Sequence, residues 1–313
     1  MSNGSDRRLT YRNHDGATYV HACRECGIAI TRSGARGPVP LYCPTCKIGR
    51  RRKAQRKTPD TRTINVLSLG AGQQSSALLL LSANGALPKL DLAVFADTGW
   101  ERQVVYRHLD RLGQVADAAG IALRRVTAGR LRDHVMASDF VPMPVFGHHG
   151  DRAVVFGQRC TTNFKIVPIR RAIRQFAGPL HGLTVRLWLG ISTDEVFRMR
   201  RSPVGYIEHT YPLVDQMGWD RGACQAYLSE RGFAGAPRSS CVGCPLKGRA
   251  EWVRMRDESP DEWADAVAFD AALRARPDSL YLHSSRRPLA HAVGAGEGQG
   301  DLFAQECQGH CGL

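Results

Sequence analysis

Ile64-Asn65-Val66-Leu67-Ser68-Leu69-Gly70-Ala71-Gly72-Gln73-Gln74-Ser75-Ser76, followed by the apolar run Ala77 to Leu81, decides the fold. Ile64 to Ser68 reads as a short apolar strand, Leu69 to Ser76 as a Gly/Ser loop, and Ala77 to Leu81 as helix. At such a junction the backbone N–H groups of the first helical turn and the helix dipole converge, which makes an anion site. Gly70 and Gly72 let the backbone approach a phosphate closely, Ser75 and Ser76 add hydroxyl donors, and Gln74 stands in the same turn. The loop has neither the Lys of the Walker type nor the third Gly of the dinucleotide fingerprint.

The pattern then repeats. Leu90 to Ala96 reads as a second strand closing at Asp97-Thr98-Gly99, and Val104, Val105, His108, Leu109, Leu112, Val115 and Ala116 recur at helical spacing. Ala122 to Thr127 and Val185 to Gly190 read as further strands. Strand alternating with helix predicts an α/β fold, a Rossmann-like parallel sheet with helices on both faces and ligands at the strands' carboxyl ends. This nucleotide-binding domain is expected over 63–236. A cysteine-containing C-terminal region and flexible tail follow over 237–313, with a helical stretch from Trp252 to Leu273 and a Gly-rich segment.

Ten cysteines include CxxC pairs, which without an export signal argue for metal sites in a reducing cytoplasm, not for disulfides. Cys23, Cys26, Cys43 and Cys46 form two such knuckles with sixteen Gly- and Pro-containing residues between them. Four thiolates at this spacing predict a zinc ribbon over 1–46, with the zinc structural because no coordination position is left open. A basic linker, 47–62, follows. Residues 1–62 carry fourteen Lys/Arg against four Asp/Glu, so +10 of the net charge of +14 sits there. A cationic tract centred on Arg50, Arg51, Arg52 and Lys53 attracts a phosphate backbone through counterion release, and the predicted partner is nucleic acid, tRNA or DNA. No apolar run approaches the ~20 residues of a membrane span, so no membrane partner is expected.

Three further thiols stand apart: Cys160, ahead of Lys165 and Pro168, and the late pair Cys241-Val242-Gly243-Cys244. Thiolates are the usual ligands of a [4Fe–4S] cluster, and three of them leave one iron without a cysteine. Cys224, Cys307 or Cys311 could complete the set; a second zinc site or inert thiols are the plain alternatives. Lys165 and Arg170, with Arg171, are expected to meet phosphate or the cluster's charge. His148 and His149 read as a substrate contact or a solvated loop. Trp188, Trp252 and Trp263 read as core.

The spacing of Gly70 to Ser75 resembles the pyrophosphate loop Ser-Gly-Gly-x-Asp-Ser of the adenine-nucleotide alpha-hydrolase superfamily, with Gly70, Ala71 and Gln74 departing from it. Asp97-Thr98-Gly99 with Glu101, Gly190 to Glu195 with Arg198 and Arg200, and Tyr211-Pro212-Leu213 with Trp219 and Tyr227 narrow the likeness to the phosphoadenosine-phosphosulfate reductase family. The resemblance covers about residues 63–313. It implies Gly70, Gly72, Gln74, Ser75, Ser76, Asp97, Thr98, Lys165 and Arg170 around ATP with magnesium, or around an adenylyl sulfate. In the iron–sulfur branch a Cys-Cys pair precedes Lys and Pro, and CxxC follows about eighty residues on. Cys160, Cys241 and Cys244 match that pattern, while Thr161 stands for the second Cys of the pair. Family reductases end in a mobile Glu-Cys-Gly segment; Glu306-Cys307 and Cys311-Gly312 share its order, and His310 adjoins Cys311.

Three functions are compatible with these features. One is an ATP-dependent sulfur transferase that adenylates a nucleic acid and inserts sulfur with a [4Fe–4S] cluster and a sulfur donor. Another is a reductase of adenylyl sulfate or phosphoadenylyl sulfate with Cys307 or Cys311 as catalytic nucleophile and a thiol reductant. The third is a non-catalytic nucleic-acid-binding protein with a degenerate nucleotide site, for which Gln74 in place of Asp argues. The first uses the basic N-terminal segment, which a small-molecule reductase does not need.

Overall fold

The computed structural model describes residues 10–13, 16–24, 26–33, 42–46, 62–149, 152–157 and 159–294. The basic linker apart from Arg62 and the tail with Cys307, His310 and Cys311 therefore lie outside the described residues. The chain divides into two compact units between Thr61 and Arg62.

The first unit is a three-stranded antiparallel sheet, β1 (Thr10–Asn13), β2 (Gly16–Ala22) and β3 (Ala29–Ser33), in the order β1-β2-β3. Its buried apolar core among the described residues is Cys23, Ile30 and Cys43, with Tyr42 and Cys46 packed on it. So small a core cannot offset the ordering entropy of some sixty residues without help from a staple or a metal.

The second unit is built on a five-stranded parallel sheet. In chain order its elements begin with β4 (Arg62–Leu69), α1 (Gln73–Ala83), β5 (Leu92–Asp97), α2 (Gln103–Ala118), β6 (Ala122–Thr127) and α3 (Leu131–Ala137). A hairpin of β7 (Val145–His149) and β8 (Arg152–Phe156) intervenes, then come α4 (Val167–Ala177), β9 (Leu183–Trp188) and β10 (Ile207–Thr210). The last elements are α5 (Arg221–Glu230), α6 (Arg249–Glu258), α7 (Pro260–Arg274) and α8 (Leu289–Gly294). The strand order is β10-β9-β4-β5-β6, all parallel. The chain moves outward from β4 on one side and returns to β9 on the other. The crevice beyond the carboxyl ends of β4 and β9 is thus the topological switch point, where open α/β sheets bind ligands.

Amphipathicity accounts for the layers. In α2, Val105, His108, Leu109, Leu112 and Ala116 form the buried stripe expected from their spacing. Helix α1 has no such stripe: Gln74 through Ser82 are all buried, because α5 covers its outer side while the sheet covers its inner one. Cys224, on α5, is buried within this layer among Leu69, Leu78 and Trp188. Trp188 and Trp252 are core, as expected, with Trp263 packed edge-on against Trp252.

The structure departs from the sequence expectation in several places. The stretch from Trp252 to Leu273 is two helices, α6 and α7, because Ser259 takes an extended φ ahead of Pro260, which has no N–H to continue the first helix. Strand β10 and the hairpin that carries His148 and His149 are additional elements. No described helix is long and apolar enough to cross a membrane.

Candidate functional site

The phosphate-type loop forms as its residues dictate. The Ser75 hydroxyl accepts from Gly70 N–H (3.2 Å) and donates to the Gly72 carbonyl (3.2 Å), while Ser76 N–H and Oγ both reach that carbonyl, at 2.9 and 2.7 Å. Ala71 sits at φ 53°, a left-handed conformation that costs a residue with a Cβ about 1 kcal/mol. No side chain caps α1, and its first turn holds no carboxylate. Gly190, beyond β9, is fixed by close approach: a Cβ there would lie 2.9 Å from Ser75 N.

One cavity of about 170 Å³ opens at the switch point. Gly70, Gly72, Gln74 and Ser75 line it from the loop, and Thr98 from the end of β5. Lys165 and all three separated cysteines, Cys160, Cys241 and Cys244, line it as well. The phosphate loop and the late CxxC, more than 160 residues apart in sequence, therefore share a wall.

Each cysteine is placed by local structure. Cys160 precedes a π-helical turn, Thr162–Ile166, whose end carries Lys165; such single turns are often found at functional positions. The Cys160 and Arg159 N–H groups both donate to the Pro142 carbonyl, at 2.7 and 2.6 Å. Thr161 is buried on the same wall. Cys241 bridges Glu101 in a short antiparallel contact, with Val242 N–H on the Trp100 carbonyl at 2.8 Å. Between the two late cysteines Gly243 lies flat on the indole of Trp100, where a Cβ would come within 2.1 Å of the ring. Segment 237–240 covers the phosphate loop, since a Cβ on Gly72 would meet Ser239 Cβ at 3.2 Å.

Cations offset the sulfurs. Lys165 Nζ lies 3.6 Å from Glu101 Oε1, which also accepts from Thr98 Oγ1 at 3.1 Å. Lys247, buried, donates to the Cys241 carbonyl and sits over the Trp252 ring, 5.2 Å from its centroid. Burial pushes the Cys241 thiol well above its ordinary value, with Glu101 adding to the effect and Lys165 opposing it. Burial lowers Lys247 for the converse reason, opposed by Cys244 and Glu251. Three thiols and two lysines thus line the same cavity. The fourth-ligand candidate Cys224 does not join them; burial raises its thiol to about 12, and it is packed as an inert core residue.

Gln74, where the resembling loop has Asp, is engaged with a carboxylate instead of replacing one. Its Nε2 donates to Glu195 Oε2 at 3.1 Å, and Glu195 Oε1 takes Arg198 at 2.7 Å and Arg221 at 2.8 Å. Arg198 lines the cavity. Arg198 and Arg221 are thus matched by Glu195 and Asp194 in one ion-paired network.

Other expected residues fall elsewhere. Ser76 Oγ turns from the cavity to the Gly72 carbonyl and His108 Nε2 (2.8 Å), and burial lowers His108 to about 4, so its ring is neutral at pH 7. Asp97 holds the turn after β5, accepting from Gly99 N–H (2.8 Å), Tyr106 Oη (2.8 Å) and Arg125 (2.6 Å). Arg170 borders a second, small cavity with Ser68, Ile169 and His209. Arg238, Ser239, Ser240, Lys247 and Glu251 line the main cavity without having been expected there; the one signal was their nearness to CxxC.

In the N-terminal unit the Sγ atoms of Cys23, Cys26, Cys43 and Cys46 lie within 4.8 Å of one another and could hold a metal ion. Cys26 and Cys43 are 3.7 Å apart, close to the ~3.8 Å edge of a tetrahedron with ~2.3 Å zinc–sulfur bonds. The N–H groups of Cys43 and Cys46 point at the sulfurs of Cys23 (3.3 Å) and Cys43 (3.4 Å), which favours thiolates.

No protein-family model matches the chain, and no curated protein matches it in sequence. Among solved structures it is similar to the U34-tRNA thiolase NcsA from Methanococcus maripaludis with its [4Fe–4S] cluster, at 14% identity and TM-score 0.33 over 93% of this chain and 96% of that one. A likeness at that level assigns neither a family nor an activity to this chain.

Proposed function

We propose that the chain is an ATP-dependent sulfur transferase of the pyrophosphate-loop type that acts on nucleic acid. The observation that supports it most is the single cavity lined by both the phosphate-type loop and Cys160, Cys241 and Cys244. Gly70 to Ser75 and the uncapped start of α1 would take the nucleotide's phosphates, with Lys165 and Arg198 neutralising charge as pyrophosphate departs. A substrate oxygen attacks the α-phosphorus of ATP, the bond to pyrophosphate breaks, and the oxygen becomes an adenylate leaving group. A hydrosulfide donor then forms the carbon–sulfur bond and AMP leaves, with no net oxidation or reduction. Cys160, Cys241 and Cys244 would hold a [4Fe–4S] cluster, which when bound supplies thiophilic iron beside the phosphate loop. Lys165 and Lys247 would balance the charge of those thiolates, and Trp100 and Phe269 keep water from the rear of the CxxC turn. Zinc at Cys23, Cys26, Cys43 and Cys46 would shape the unit whose flanking basic residues attract the polymer.

The test is pyrophosphate release from ATP and magnesium by anaerobically purified protein, with and without added tRNA or DNA. Release that requires the nucleic acid and falls about 100-fold or more in Lys165→Ala is expected. Sulfite release from adenylyl sulfate with a thiol reductant, and no nucleic-acid dependence, would support the reductase instead. Nucleic-acid binding with neither activity would favour the non-catalytic protein.

A further inference from the structure

The loop after β9 presents an unusual pair at its tip. Glu195 is buried and Arg198 lines the cavity, yet between them Val196 and Phe197 are 47% and 57% exposed. One exposed apolar side chain is ordinary. Two in succession, one of them aromatic and next in sequence to the cavity-lining Arg198, leave apolar surface exposed on the loop that carries that arginine.

The surroundings are cationic. Arg200 is exposed, and its Nη1 is pinned on the carbonyls of Phe197 (2.7 Å) and Met199 (2.9 Å). Arg201 follows it and is also exposed. His209 joins this surface by donating from Nδ1 to the Arg200 carbonyl (2.9 Å), and Arg170 helps to lower that imidazole, although burial is the larger cause. Arg174, exposed, reaches Tyr206 Oη at 3.2 Å. The loop's own carboxylates do not cancel this charge, because Asp194 is bonded by Ser192 and Arg221, and Glu195 by Gln74, Arg198 and Arg221.

An exposed aromatic ring bordered by arginines matches an unpaired base flanked by phosphates: the ring stacks on the base while the guanidinium groups meet the backbone. A base that must enter an enclosed cavity has to leave its stack, and a protein face at the cavity mouth replaces the lost stacking. We propose that Phe197, with Val196 beside it, is the stacking platform that presents a single, unpaired base of the nucleic-acid substrate to the cavity, and that Arg200 and Arg201 bind the adjoining phosphates. This rests on nucleic acid being the substrate, and it places a contact in the second unit that is independent of the basic N-terminal segment.

The experiment is fluorescence anisotropy of a labelled single-stranded RNA or DNA oligonucleotide with the full-length, metal-loaded chain, without ATP, over a range of salt. Phe197→Ala is expected to weaken binding about 5- to 100-fold at fixed salt and leave the slope of log affinity against log salt unchanged. Phe197→Trp is expected to bind as the parent does. Arg200→Ala with Arg201→Ala is expected to make that slope shallower by about 1 to 2. A duplex of the same sequence should not respond to Phe197→Ala. Equal affinity of parent and Phe197→Ala for the single strand, or equal losses on single strand and duplex, overturns the platform. So does a segment of this chain's own tail that is protease-protected in the parent and released by Phe197→Ala. Adenylation is read separately as nucleic-acid-dependent pyrophosphate release, so the platform and the catalytic reading can fail independently.

Discussion

Gly243→Ala is expected to lower the melting temperature of the second unit by about 6 to 12 °C and to strip the late cysteines of any metal. A Cβ at this position would lie 2.1 Å from the Trp100 ring. That ring cannot simply turn aside: it is 4% exposed, its Nε1 donates to Asp265 at 2.6 Å, and it packs on Phe269 with centroids 4.6 Å apart. The strain must instead push the CxxC turn away from the loop at Trp100 and Glu101. Overpacking of this kind costs about 3 kcal/mol at the upper end of its usual range, and about 2 to 4 °C accompanies each kcal/mol in a unit of this size. The check is calorimetry beside Gly113→Ala, a helix position with nothing within 4 Å of an added Cβ, which should melt at or above the parent's temperature. A Gly243→Ala protein that melts as the parent does would contradict the packing.

Cys43→Ala should abolish metal binding in the first unit and unfold it while leaving the second unit intact. Cys43 is buried, its sulfur accepts from Cys46 N–H, and the core it belongs to contains only two other buried residues among those described. Binding of a structural zinc contributes about 10 to 16 kcal/mol of folding free energy in comparable small motifs, far more than such a core supplies. Metal analysis should show a loss of about one equivalent of zinc. Limited proteolysis should cut residues 1–61 quickly and spare 62–294. Undiminished zinc, or unchanged resistance of the first unit, would argue against the tetrahedral site.

The parallel-sheet fold was legible because β4 and β5 are largely apolar, with a Gly/Ser turn after the first and one clear helical stripe in α2 after the second. What escaped had no local signature. Strand β10, Ile-Glu-His-Thr, has no apolar run and is ordered by pairing with β9. The Ser259-Pro260 break did have a signature, a proline without the N–H that continues a helix. At the site, the loop glycines and the three separated cysteines, singled out in the sequence by residue type and interval, line one cavity. Lys247, Arg238 and Arg198 could not be assigned to a cavity wall by interval, since only the folded segment at 237–247 and the loop after β9 bring them there. Ser76 and Arg170 show the opposite limit. One residue along a helix turns a side chain away from the loop, and Ser76 thus spends its hydroxyl on His108 and Gly72.

The measurement closest to the central claim is the iron and acid-labile sulfide content of anaerobically purified full-length protein, compared with Cys160→Ala, Cys241→Ala and Cys23→Ala. If Cys160, Cys241 and Cys244 hold a [4Fe–4S] cluster on the wall of the nucleotide cavity, the parent carries about four irons and four sulfides per chain. Both second-unit variants lose them with the brown absorbance, and Cys23→Ala keeps them. Iron and absorbance undiminished in Cys160→Ala, or absent from the parent, would contradict the account.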